Sequence, residues 1–116
     1  MRYQTKITET ATQALGAAAL AYSYEFLKDG YLDNIEFKFS GACSQTLTVT
    51  RDNLDGAAYD AVLKTQALGG ATYFTYQPAR KIYFRKGDIL LVGITSGGAT
   101  TVGMTAFMEG GLTWVS

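Results

Sequence analysis

From Ala19 onward, apolar and polar residues alternate with a period of two, in short runs separated by Gly, Asp and Asn. That is the period of a strand with one buried face, because successive side chains on an extended backbone point to opposite sides. In "AYSYEFL" it places Tyr22, Tyr24 and Phe26 on one face, and in "NIEFKFS" it places Ile35, Phe37 and Phe39 inward with Glu36 and Lys38 outward. "TLTVT" repeats it, with Leu47 and Val49 set against Thr46, Thr48 and Thr50. The runs "ATYFTYQP", "KIYF", "DILLVGITS", "TVGMTAFME" and "LTWVS" continue the rhythm. Roughly eight or nine strands spaced about ten residues apart predict an all-β, single-domain antiparallel sandwich or barrel.

Turn chemistry punctuates these runs. Asp29-Gly30 in "KDGY" predicts a tight hairpin turn. Arg85-Lys86-Gly87-Asp88 predicts a second turn with Gly87 at positive φ, followed by a central strand over Ile89 to Ile94. Pro78, the sole proline, has no ladder donor and belongs at a strand end or edge. Two segments break the alternation. Residues 1–18, "MRYQTKITETATQALGAA", are Thr- and Ala-rich and weakly periodic, so they read as an extended N-terminal arm to a sandwich over residues 19–116. A first edge strand around Tyr3 to Thr8 is the alternative. From Arg51 to Gly56 the chain reads as a loop, followed by an irregular strand or short helix: Ala58, Val62 and Leu63 fit a helical turn, whereas Tyr59, Ala61 and Leu63 fit a strand.

At 116 residues the chain can bury one core. Its 10 basic and 10 acidic residues cancel and are interspersed, so it carries no electrostatic footprint for nucleic acid or an anionic membrane. Charged residues make up only 17% of it, against about 25% in a typical domain. A surface this poor in charge favours assembly on another surface. Histidine is absent, which removes the usual neutral-pH base, the commonest metal ligand and the Ser-His and Cys-His pairs. The single cysteine, Cys43, has no internal disulfide partner; it reads as a small buried residue of a chain made in a reducing cytoplasm. "ALGAAALAY", Ala14 to Tyr22, is too short to span a bilayer and fits a secretory signal poorly.

No motif here carries a catalytic fingerprint, and neither a cofactor nor an enzymatic activity is expected. "RDNLDG" has calcium-type oxygen ligands in Asp52, Asn53 and Asp55, with Asp60 nearby. Aligned on Gly56, however, it puts Arg51 at the first ligand position of an EF-hand and no glutamate at the last. A solvated Asx turn is the simpler reading, with calcium at the Asp52 to Asp60 loop left open. "GITSGG" lacks the Lys-Ser/Thr ending of a phosphate loop and a helix behind it. The carboxylates, Asp88 and Glu109 among them, mostly fall in turns or on outward faces, where they should be solvated rather than poised as an acid–base pair. The aromatic residues Tyr22, Tyr24, Tyr73, Tyr76, Tyr83 and Trp114 are the candidate interface; core packing, a subunit contact and a sugar-stacking face are the competing readings.

Two resemblances extend this reading. Phe84, Gly87-Asp88, Leu90 and Val92 resemble the approach to the penultimate strand of jelly-roll sandwiches, in which a loop and a final strand follow, here "SGGATT" and "VGMTAFM". More broadly, "LTVTRDNLDGAAYDAVL" (Leu47 to Leu63), Gln77-Pro78, Gly87-Asp88 and the last glycine-rich loop resemble small β-sandwich proteins encoded beside capsid genes in tailed bacteriophages. The likeness covers Phe37 to Met108 and leaves the N-terminal segment outside it. It implies a jelly-roll-like virion structural protein of the decoration or cement type, made in the host bacterial cytoplasm. Its partner would be the major capsid protein, and it would seat at capsomer junctions as a homo-oligomer, a trimer foremost. A tail or head-to-tail connector protein and a carbohydrate-binding module are the alternatives.

Overall fold

A computed structural model of the chain describes the backbone of residues 2–53 and 60–114 and the side chains of 6–53 and 60–110. Among the described residues the ordered elements are all strands: β1 (Arg2–Ala14), β2 (Leu20–Glu25), β3 (Gly30–Cys43), β4 (Thr46–Asp52), β5 (Ala61–Ala67), β6 (Ala71–Tyr76), β7 (Ile82–Phe84), β8 (Ile89–Ile94) and β9 (Thr101–Trp114). They form two antiparallel sheets. The first is five-stranded in the order β1-β9-β3-β6, with β7 also paired to β3, and the second is four-stranded in the order β2-β8-β4-β5.

The pairs are nested. β1 lies on β9, β2 on β8, β3 on β6 and β7, and β4 on β5. One long hairpin whose two arms cross together from sheet to sheet gives this pattern, which is the jelly roll. The expected β-sandwich is therefore present. At each crossing the two arms hydrogen-bond to one another, which satisfies backbone groups that no ladder reaches. Between β2 and β3 on one arm and β7 and β8 on the other, Phe26 N–H donates to the Asp88 carbonyl (2.9 Å) and Gly87 N–H to the Phe26 carbonyl (2.7 Å). At the opposite end Leu15 N–H donates to Thr100 O (2.9 Å) and Gly97 N–H to Leu15 O (2.8 Å). The third crossing is tied by Leu68 N–H to Gln45 O (3.0 Å) and Gly70 N–H to Cys43 O (2.9 Å).

The core between the sheets follows the alternation. Leu32, Ile35, Phe37, Val102, Met104, Ala106 and Met108 come from one sheet, and Leu47, Val49, Leu90, Val92 and Ile94 from the other, all buried. Cys43 is a buried free thiol at its margin. Each such aliphatic or aromatic side chain contributes about 1.5–3 kcal/mol on leaving water.

Three expectations are corrected. The N-terminal segment is not an arm: residues 2–14 form an edge strand, longer than the alternative allowed, paired to β9 from Arg2↔Trp114 to Ala14↔Thr101. It reads weakly because an edge strand buries little, and Ile7 and Ala11 are only partly covered. Leu15, fully buried, then packs into the core of the sandwich. Asp29-Gly30 makes no hairpin, because β2 and β3 lie in different sheets. Gly30 is needed for space: a Cβ there would collide with the Glu109 carbonyl oxygen. Finally, β4 runs through Arg51 and Asp52, where a loop was expected, while residues 54–59 lie outside the described residues. The mixed periodicity after them comes from a bulge, since Val49 pairs with Lys64 and Thr50 with Val62, leaving Leu63 as the extra residue.

Candidate functional site

The Lys86-Gly87-Asp88 segment is a structural corner. Gly87 takes φ of 92°, and Asp88, buried, accepts the Arg85 N–H on Oδ2 at 2.9 Å, closing the turn. Across the paired crossing Asp29 Oδ1 accepts the Lys86 N–H at 2.9 Å, and that bond holds the Asp29 carboxyl below its ordinary range. Phe26 and Phe84 stack beneath with ring centroids 4.6 Å apart. Asp88 was expected in water; its oxygen instead replaces a missing backbone acceptor, which is why it tolerates burial.

The six candidate aromatic residues are not gathered on one surface. Tyr22 and Tyr24 face inward, partly buried against the core, and Tyr76 is buried. The Tyr22 hydroxyl donates to Glu9 Oε1 at 2.9 Å, joining β2 to β1 across the open side of the sandwich. Burial first, then Glu9, pushes the Tyr22 phenol well above its ordinary pKa, and burial raises Tyr24 and Tyr76 too. Tyr73 (63% exposed) and Tyr83 (42% exposed) lie on the outer face of the first sheet. They sit opposite Lys38 and Tyr31 of β3, so about 20 Å of strand separates them. The Trp114 side chain lies outside the described residues.

That same outer face holds a carboxylate that sequence reasoning assigned to solvent. Glu109 is only 2% exposed, although it alternates with the inward residues of β9. Lys6 Nζ donates to its Oε1 at 2.5 Å, and Lys81 Nζ donates to both oxygens at 2.8 Å. These bonds, Lys6 first, depress its pKa despite burial. Lys81 arrives from the segment between β6 and β7, so no spacing within one strand foretold the contact. At the other sheet's end, Asp52 shares a hydrogen bond with Asp60, and its pKa is raised by that bond above all. Asp60 Oδ1 is buried with no hydrogen-bond partner among the described residues. Among the described residues no three ligand-type side chains converge on a point that could hold a metal ion, and Asp55 lies outside them.

The outer face of the second sheet is of another kind. Alternation and register set out two central rows, Ser23-Leu91-Thr50-Val62 and Ala21-Gly93-Thr48-Thr65, with no charge in either. Because Gly93 has no side chain, a shallow hollow of about 410 Å³ opens beside Leu91, lined by Ala21, Ser23, Thr48 and Thr50. The neutral surface that the low charge content called for is concentrated here, whereas the first sheet exposes Lys6, Glu36 and Lys38. No protein-family model matches the chain, and no curated protein matches its sequence.

Proposed function

We propose that the chain is a non-enzymatic structural protein of a tailed-bacteriophage particle, which decorates the outer capsid shell and cements it, with the major capsid protein as partner. One observation carries this reading. The segments that resemble such proteins fall where a jelly roll uses them: Leu47 to Asp52 within β4, Gly87-Asp88 at the corner before the penultimate strand β8, and the glycine-rich loop between β8 and the final strand β9. The hydrogen-bonded corners and neutral outer sheet suit a passive building block. In this role, area buried against the shell stabilises it by roughly 25 cal/mol per Å² of apolar surface.

The test is the copy number of the chain in purified particles. Decoration requires a number that scales with the capsomers of the shell, and depletion of the chain should lower the temperature at which particles release DNA. A number matching a single ring would assign it to the tail or head-to-tail connector instead. The carbohydrate-binding alternative draws little support from the fold, since three of the rings offered for stacking turn into the core.

A further inference from the structure

We propose that the outer face of the second sheet is a self-association surface: two copies pack face to face about a two-fold axis that crosses β8 between Leu91 and Gly93. The register of the sheet points to this contact independently of any role in a virion. An axis lying in the contact plane, perpendicular to the strands, superposes each strand on its own copy, running antiparallel, and exchanges neighbouring rows. Leu91 then lies over Gly93 of the second copy, and Gly93 under its Leu91, so both hollows are filled by the same contact. Ser23 meets Ala21, Thr50 meets Thr48, and Val62, 63% exposed in the isolated chain, is covered by Thr65. Self-complementarity of this kind is what an isologous contact demands.

Charge placement selects the same arrangement. The acidic residues at the end of the face lie in one row: Glu25 and Asp52, both opposite Ile89, with Asp60 hydrogen-bonded to Asp52. An axis parallel to the strands would bring that row onto itself and oppose like charges. The perpendicular axis sends the two acidic rows to opposite ends, each over the row of Thr46 and Thr95, which is uncharged. Among the described residues, the first sheet's outer face, with Lys6, Glu36 and Lys38 exposed, has no comparable neutral centre.

Area sets the strength. Four strands about 4.8 Å apart and some six residues long cover roughly 400 Å² per copy. A stable interface buries about 800 Å² per partner. The contact is therefore weak in dilute solution and filled where copies are crowded. It links copies in pairs and leaves any three-fold contact to other surfaces.

Sedimentation equilibrium on the purified full chain, from micromolar to near-millimolar concentration, tests this. The expected result is a mass rising with concentration toward that of a dimer. Gly93→Leu should weaken the association at least about tenfold, because two opposed leucines hold the sheets beyond their usual spacing of about 10 Å. It should fold normally: a Cβ at Gly93 meets only the Leu20 carbonyl oxygen, at 3.6 Å, and the backbone is not in the left-handed region. Leu91→Ala removes the knob and should weaken association as well. The double variant Leu91→Ala with Gly93→Leu exchanges knob and hollow, and should recover association relative to either single change. A chain monomeric throughout, a larger oligomer indifferent to Gly93→Leu, or a double variant no better than the singles would overturn the proposal.

Discussion

Glu109 is a carboxylate out of water on a face that should be wet, and its two lysines explain how it stays charged. Replacing it with glutamine keeps the shape but leaves Lys6 and Lys81 facing a neutral amide. Glu109→Gln should therefore cost about 1–2 kcal/mol at neutral pH, measured by denaturant unfolding. The pH dependence follows from the depressed pKa. A carboxyl whose folded pKa lies below its unfolded value stabilises above the ordinary carboxylate range and loses that contribution as pH falls through the folded pKa. The deficit of the variant should thus shrink below about pH 4. If it were the same at neutral and acidic pH, the ion pairs would not be its source. Asp52 has the opposite sign. Its raised pKa means the folded chain holds a proton that the unfolded chain releases, so stability falls as pH rises from the unfolded pKa toward the folded one. Asp60→Asn, which removes the paired carboxylate, should raise the melting temperature at pH 7 and flatten its decline above the carboxylate range; thermal scans at several pH values check both.

At the scale of elements, strands were legible and their partners were not. Ile35, Phe37 and Phe39, or Leu47 and Val49, announce a buried face because the signal lies within two residues, and all five are buried. A sheet crossing gives no such local signal. Asp29-Gly30 has hairpin chemistry, yet its chain segment bonds to Gly87 and Asp88, far along the sequence, through the nested roll. The bulge at Leu63 likewise mixed two periods and made β5 ambiguous. The exposed rings could not be separated from the buried ones either, since Tyr alternates equally well on both faces; only the register against Lys38 and Tyr31 sets Tyr73 and Tyr83 outside. Gly87 is the place where local chemistry and architecture agree. At φ of 92° a Cβ is strained, so Gly87→Ala should destabilise by about 1–2 kcal/mol. The loss should appear in unfolding melts with the strand signature of the circular dichroism spectrum retained, because the strain is confined to the corner. A melt unchanged from wild type would show that the turn relaxes without needing the left-handed backbone.

For the whole molecule, the roll makes the two ends of the chain mutually dependent. β9 lies between β1 and β3, so removal of β1 would turn a central strand into an edge and bare the flank of Met104, Ala106 and Met108. A long unprotected edge of this kind invites aggregation. Glu9 adds to the dependence, since its bond to Tyr22 ties β1 to the second sheet. Deleting residues 2–14 should therefore abolish the cooperative thermal transition and yield aggregating chain, whereas loss of a dispensable arm would leave the melting temperature within a few degrees of the full chain. A synthetic peptide of residues 2–14 provides the converse measurement. Added during refolding of the truncated chain, it can fill the vacant edge by strand addition, with the β9 backbone supplying the hydrogen bonds and Ile7 and Ala11 the apolar register. Recovery of a cooperative melt with the peptide, and not with one in which Ile7 and Ala11 are replaced by aspartate, would place the closing step of the sandwich at the β1–β9 pair.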